Sequence, residues 1–392
     1  MPKRYTPRES FLPLSYPTIR EAEIREVEDT LRSGWITTGP KAARFEEQFS
    51  RLLGGSEALA LSSATAGLHL GLIALALQPG DEVITPSITW ASAVNMIELL
   101  GATPVFVDVD PHTLLIDVAA AAAAMTPRTV GLLPVHFAGA PCDLDSLQEI
   151  ARSYDLWLFE DAAHALGTQY KGRQVGGFGE LGVFSFHPIK NITTAEGGAL
   201  ACSSKELARK LRALRFHGLE KSAWERYRKE GSPQVEIAFP GFKYNFTDIQ
   251  AALGLPQLRS LDEFNARRCA LSCRYDERLA ELVGVKPLTA PPWDHRHAHH
   301  LYVVAISEES GLNRDRFVEE LKKRGIGTGI HFRAMHTQPY YARKYPEFMG
   351  RLPHSEWASA HICSLPLFPL MSDEDLDDVI NAIRDTLACA RG

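Results

Sequence analysis

Between residues 57 and 202 short apolar runs alternate with longer amphipathic or small-residue stretches, and turn residues separate them. The runs are Leu59–Leu61, Glu82–Thr85, Pro104–Val109, Val130–Val135, Leu156–Glu160, Val183–Phe186 and Ala199–Cys202. Segments of helical period lie between several of them: Ala64–Leu77, Trp90–Leu100, Asp117–Ala124 and Leu144–Tyr154. Strands that read as apolar on both faces and alternate with helices predict a mostly parallel α/β sheet of seven strands, flanked by helices. No helix joins the last two runs, so that edge is open to antiparallel or mixed pairing. Upstream, Thr18-Ile-Arg-Glu21 fits a capping box, and Ser33-Gly34 ends the periodic run that follows.

After Cys202 the texture changes. Glu206–Arg215 has helical period, and the charged stretch Gly218–Pro240 reads as an exposed excursion. Phe246–Leu279 is a long helical segment, expected to break or kink at Pro256. Beyond it come a strand at Leu301–Ile306, a helix at Asp315–Arg324 and a last helix from Ser372, whose first turn is acidic. This divides the chain into a large domain over 1–255, with an N-terminal arm, and a smaller C-terminal α/β domain over 256–392.

Composition narrows the classes. With 392 residues, 45% hydrophobic and 23% charged, the chain can bury a substantial core and is not a disordered protein. Its net charge of −6 argues against a nucleic-acid surface. No apolar run reaches the length of a membrane span. The start MPKRYTPRESFLPLSYP lacks the apolar stretch of a secretory signal, so a cytoplasmic protein is expected. The 6 cysteines form no CxxC pair, which suggests neither a disulfide framework nor a zinc site.

In an open α/β sheet, ligands bind beyond the carboxyl ends of the strands, so the residues that follow each strand are the candidates. Ser62-Ser63-Ala64-Thr65-Ala66-Gly67 follows the first strand and opens a helix, where free amides suit a phosphate. An ordinary N-cap explains it equally well. Asp161 follows the fifth run, beside Ala162-Ala163-His164, where small neighbours let a flat ligand approach; from position alone a helix cap is the simpler reading. Lys190 follows the sixth run, among apolar residues and near Gly197-Gly198, a setting in which a lysine can be desolvated into an amine nucleophile. Trp90 could stack on a flat ring or fill the core. A phosphate anchor, a ring-nitrogen acid and a reactive lysine are three parts of a pyridoxal phosphate site.

In this order these residues resemble the sugar-aminotransferase branch of the fold type I pyridoxal phosphate enzymes. The resemblance rests on Ser33–Pro40, Ser62–Leu70, Gly80–Trp90, Glu160–His164, Ser185–Gly198, Phe216–Leu219 and Gly241–Asp248. Gly327–Gln338 and Cys363–Pro369 look like the corresponding segments of the family's enzymes that make UDP-4-amino-4-deoxy-L-arabinose, the sugar attached to lipid A in antibiotic resistance. Pro188 departs from that pattern, where a small residue is usual. The resemblance implies a pyridoxal 5'-phosphate cofactor bonded to Lys190, with Asp161 on the ring nitrogen and Trp90 on a ring face. It also implies Thr65, Ala66 and Ser185 at the phosphate and His164 by the ring hydroxyl. Asn245 would reach the cofactor of a neighbouring subunit, which makes the protein a homodimer with shared active sites. His331 would face the sugar nucleotide. Glutamate would give the amino group, leaving 2-oxoglutarate, and a keto sugar nucleotide would take it. Neither nucleic acid, membrane nor metal is expected as a partner.

Two other constellations read as structural. Asp294-His295-Arg-His297-Ala-His299-His300 is histidine-rich but precedes a strand and lacks fixed acidic or thiol ligands. Cys269 and Cys273, four apart on a helix, read as partly buried packing. A dehydratase of the same family would carry histidine in place of Lys190, and a regulator would carry an added DNA-binding domain.

Overall fold

The computed structural model describes residues 8–219 and 236–391. Most of the charged excursion expected at 218–240 lies outside them. Two helices lead in, α1 (Glu21–Ser33) and α2 (Pro40–Leu52). The alternating region follows as β1 (Glu57–Leu61), α3 (Ala64–Ala74), β2 (Glu82–Pro86), α4 (Ala91–Leu99), β3 (Thr103–Val107), α5 (Val118–Ala123), β4 (Thr129–Leu132), α6 (Leu144–Ser153) and β5 (Trp157–Asp161). A small hairpin, β6 (Gln169–Tyr170) and β7 (Arg173–Gln174), precedes β8 (Leu181–Ser185), β9 (Gly198–Cys202) and α7 (Lys205–Arg215). The long α8 (Asp248–Leu279) leads to β10 (Val285–Pro287), β11 (His295–Arg296), β12 (Tyr302–Ile306) and α9 (Arg314–Lys323). The chain ends in α10 (Pro339–Lys344), α11 (Pro353–His361), β13 (Ile362–Leu365) and α12 (Asp373–Arg391).

The seven expected runs form one sheet, in the order β1-β9-β8-β5-β4-β2-β3. Only β9 runs against its neighbours, pairing antiparallel with both β8 and β1. The strands are apolar on both faces because both faces are covered. Val83, Leu133 and Phe159 pack on the side of α3, α4 and α7, while their chain neighbours Ile84, Leu132 and Leu158 pack on the side of α5 and α6. Helix α3 lies close to the sheet because it presents glycines there. A Cβ on Gly67 would come 2.8 Å from Val183 Cγ2, and one on Gly71 would overlap the Phe159 ring. That close approach fixes where the N-terminus of α3 points.

Some boundaries differ from the sequence expectation. Helix α1 is capped by Arg20 rather than Thr18; the Arg20 amide donates to Glu23 Oε2 at 2.8 Å, two residues later than the expected box. Its other end is as expected, with Gly34 at φ +73°. Helix α8 runs unbroken through Pro256. A proline removes one helical hydrogen bond, and here the turns on either side are held by packing of Ala251, Leu255 and Leu261 with Phe45 of α2. The 255/256 boundary therefore falls inside one continuous helix. A second, antiparallel sheet, β10-β12-β13, packs with α9, α12 and the end of α8. The start of the described chain lies against this second unit: Leu12 donates to Gly325 O at 2.8 Å and accepts from the Gly327 amide at 2.7 Å. No described helix is long and apolar enough to cross a membrane.

Candidate active site

A cavity of about 470 Å³ opens at the carboxyl ends of the parallel strands. Each strand delivers a wall. Ser63, Ala64 and Thr65 follow β1, Trp90 and Ser92 follow β2, and Val135 follows β4. Asp161 ends β5 with His164 just after it, and Ser185 ends β8 ahead of His187, Ile189 and Lys190. The second unit closes the opposite side with Ile330, His331 and Phe332. Gly198 binds two of these walls together, because it pairs with Ser185 on one side and Leu61 on the other. A Cβ there would overlap the backbone of Ser63 and Ala64. Ser185 and the start of α3 are thus neighbours across a single glycine. Ser63 caps α3 by accepting from the Ala66 amide at 3.0 Å. The amides of Ala64 and Thr65, in the first turn, have no intrahelical acceptor and sit at the positive end of the helix dipole.

Lys190 faces the cavity, and its amine is closely surrounded. Burial lowers its pKa to about 7, opposed by the Asp161 carboxylate. Asp161 is 5% exposed. Burial raises its pKa, against a hydrogen bond from the Ala163 amide at 3.0 Å and the charge of Lys190. His164 and His331 line the cavity and His300 lies just behind them, all three driven toward the neutral form by burial and by the nearby lysine. His331, pushed down to about 4, shares a 2.9 Å hydrogen bond with Ser364 Oγ of β13. His164 lies with its ring centroid 4.5 Å from that of His300, and the Nδ1 of each is buried without a partner among the described residues.

The cavity brings together Thr65, Trp90, Asp161, His164, Ser185, Lys190 and His331. Trp90 is 61% exposed and tilts against Phe332 at 5.6 Å, so it is a wall of the opening and not a core residue. Asp161 ends β5 and starts no helix, so the cap reading fails locally. Ala66 is buried, with its amide turned to Ser63. Asn245 is not among the lining residues of this chain's own cavity; its amide nitrogen donates to Thr38 Oγ1 at 2.6 Å. Sequence reasoning did not single out Ser63, His187, Glu196 or Phe332, although all four lie inside segments it had marked. It also took the histidine-rich segment as structural, whereas His300 Nε2 lies 3.4 Å from Lys190 Nζ. Cys269 and Cys273 are exposed rather than packed, and all 6 cysteines are unpaired. Among the described residues no group of three or more metal-ligating side chains occurs.

The family model of the DegT/DnrJ/EryC1/StrS aminotransferases matches residues 17–384. The chain belongs to this aminotransferase family. Solved structures agree with that. The aminotransferase TlmJ from Streptoalloteichus hindustanus is 33% identical at a TM-score of 0.89, over 97% of this chain and 100% of that one. Spr1654 from Streptococcus pneumoniae, in its PLP form, is 33% identical at 0.88, over 97% of this chain and 99% of that one. Helicobacter pylori PseC, an aminotransferase involved in the biosynthesis of pseudoaminic acid, is 28% identical at 0.90, over 97% of this chain and 100% of that one. The protein is accordingly a sugar aminotransferase of fold type I, and pyridoxal phosphate is its cofactor.

The residues present fit that cofactor. The first turn of α3 with Ser185 offers hydroxyls and free amides for a phosphate. The buried Asp161 carboxylate, with its raised pKa, has room for a proton-bearing ring nitrogen as partner. Exposed Trp90 offers a face for a flat ring. The lowered pKa of Lys190 suits covalent bonding to an aldehyde.

Proposed function

We propose that this aminotransferase moves an amino group from glutamate to UDP-4-keto-pentose, giving UDP-4-amino-4-deoxy-L-arabinose for lipid A modification. The observation that carries this reading is the position of the segment 327–338, whose likeness is to enzymes making that sugar. Its Ile330, His331 and Phe332 form the wall opposite Lys190, and β13, within the second such segment, braces it through Ser364. Residues that resemble those of one substrate class thus stand where a substrate must enter.

When bound, the cofactor supplies an aldehyde that bonds amines and a ring that accepts an electron pair. The chain's residues do the rest. Asp161 holds the proton of the ring nitrogen, and the first turn of α3 with Ser185 holds the phosphate. Trp90 and His164 confine the ring. Lys190 would anchor the cofactor; once released, its Nζ would take a proton from the substrate carbon and deliver it to the carbon on the other side of the transferred nitrogen. A pKa near 7 suits a group that must both take and give a proton. His331, neutral and tethered to Ser364, offers hydrogen bonding to the sugar nucleotide.

The functional unit in this reading is a homodimer. Tyr16, Ile19, Ile24 and Leu31 expose apolar side chains along the N-terminal segment and α1, the kind of surface that supports a subunit interface in this reading. Asn245, absent from the lining of its own cavity, would serve the partner's in this reading. The unpaired thiols and a nucleotide-linked substrate support a cytoplasmic location in this reading.

The test is a competition assay across keto sugar nucleotides with glutamate as donor. UDP-4-keto-pentose is expected to turn over fastest by kcat/KM. Faster turnover of a dTDP- or GDP-linked 4-keto-6-deoxyhexose, or of a 3-keto sugar, would move the assignment to that substrate.

A further inference from the structure

The mechanism above gives no task to His300, although its Nε2 lies 3.4 Å from Lys190 Nζ. The residue is 2% exposed, and its position is fixed from several sides. The buried guanidinium of Arg268 donates from Nη1 to the carbonyls of His300 at 3.2 Å, Leu367 at 2.8 Å and His299 at 3.4 Å. The His300 amide donates to Ala138 O at 3.0 Å. Gly139 leaves room for this approach, since a Cβ there would stand 3.1 Å from the His300 nitrogen. The titratable and charged groups facing the pair are Asp161, His164, His331 and Arg268.

Burial keeps the His300 imidazole neutral. Toward a lysine ammonium it must therefore present the lone pair of Nε2 and carry its proton on Nδ1. That Nδ1 is buried and has no partner among the described residues. A histidine with only a packing role would be expected to satisfy both ring nitrogens, because an orphaned buried donor costs stability. The ring is instead held in the orientation that serves Lys190.

The geometry points to His300 as a further positioning residue: it accepts a hydrogen bond from Lys190 Nζ whenever that nitrogen is not bonded to the cofactor, and so sets the direction in which the amine presents its lone pair. The proton stays on Lys190 until it passes to the reacting carbon; His300 neither gains nor loses one. Pinning one N–H restricts rotation about the terminal bond of the side chain, an orientation effect on the reacting group. The acceptor also favours the ammonium form, opposing the burial that favours the amine. This inference rests on Lys190 being the anchoring amine and holds for any donor or sugar.

The test compares full-length wild-type holoenzyme with His300→Phe, which keeps a ring but no acceptor, and His300→Gln, which restores an acceptor oxygen. Hydroxylamine frees Lys190 whatever the natural donor, so failure of the glutamate or arabinose reading would leave the test intact. The acylation rate of Lys190 by acetic anhydride is then followed against pH by peptide mass. The midpoint is expected to fall by about one pH unit in His300→Phe, the size of a lost hydrogen bond to a charged group, and to stay near wild type in His300→Gln. In turnover, kcat is expected to fall about tenfold or more in His300→Phe, with KM changed less than about threefold. Should the phenylalanine variant not fold, His300→Asn, whose amide is too short to reach Nζ, must show the same fall in midpoint. An unchanged midpoint without the acceptor, or a glutamine variant as impaired as the phenylalanine one, would overturn the proposal.

Discussion

Lys190 stands between opposed influences: burial lowers its pKa to about 7, and the Asp161 carboxylate pulls it back up. Replacing Asp161 by Asn removes the upward pull, so the midpoint for acylation of freed Lys190 is expected below about 7. The same change takes the carboxylate from the ring nitrogen, and kcat should fall on the order of 100-fold or more, as when other preorganised electrostatic partners are deleted. A midpoint that rises, or an unaffected kcat, would contradict this account of the pair. At this scale the sequence disclosed what lies directly after a strand. Position after a strand marks Asp161, Lys190 and Trp90 as candidates, with a helix cap the simpler reading of Asp161, while Ser185 enters only through the family resemblance. His300 could not be placed, since it stands 110 residues from Lys190 in the chain and reaches it through the fold of the second unit. Its histidine-rich neighbourhood carries the same local pattern as a surface cluster.

The cavity's phosphate end depends on how α3, β8 and β9 meet. Gly198→Ala would drive a methyl group into the backbone of Ser63 and Ala64. Overpacking of this kind costs about 1–3 kcal/mol, and here it displaces the turn that faces the phosphate. A lowered Tm together with weaker cofactor retention in equilibrium dialysis is the expected outcome; unchanged cofactor affinity would show that this turn does not hold the phosphate. Ser63→Ala, which loses the cap on the Ala66 amide, should cost about 1 kcal/mol in a denaturant titration. The seven strands and the helices between them were readable because buried parallel strands and amphipathic helices have distinct periods. Less readable were β10 and β13, of three and four residues, too short for any period to show. Pro256 misled for another reason: tertiary packing along α8 outweighs the one hydrogen bond a proline removes.

The whole molecule carries an unusual set of buried neutral histidines. His164, His297 and His300 are held well below the ordinary value of 6.5, and His299 and His331 are pushed down to about 4, in each case chiefly by burial. As pH falls below 6.5 the unfolded chain takes up protons that these native histidines refuse. Their contribution is complete above about 6.5 and is lost as pH falls from there toward about 4. Thermal unfolding should therefore show Tm dropping between pH 7 and pH 5 by several degrees, and a flat profile would mean the histidines are hydrated. The end of the seven-stranded sheet at β9 was legible from the change of texture after Cys202. That the N-terminal arm lies along the β10-β12-β13 unit was not, because Leu12 pairs with Gly325 and Gly327, which are far from it in sequence.

The central claim is that one lysine amine carries the cofactor. Borohydride reduction of the purified holoenzyme, followed by peptide mass mapping, reads this directly. The account expects the added mass of a reduced phosphopyridoxyl group on the peptide containing Lys190, and its loss in Lys190→Ala together with the visible absorbance band. A label on another lysine, or none on a protein that still binds pyridoxal phosphate, would contradict it.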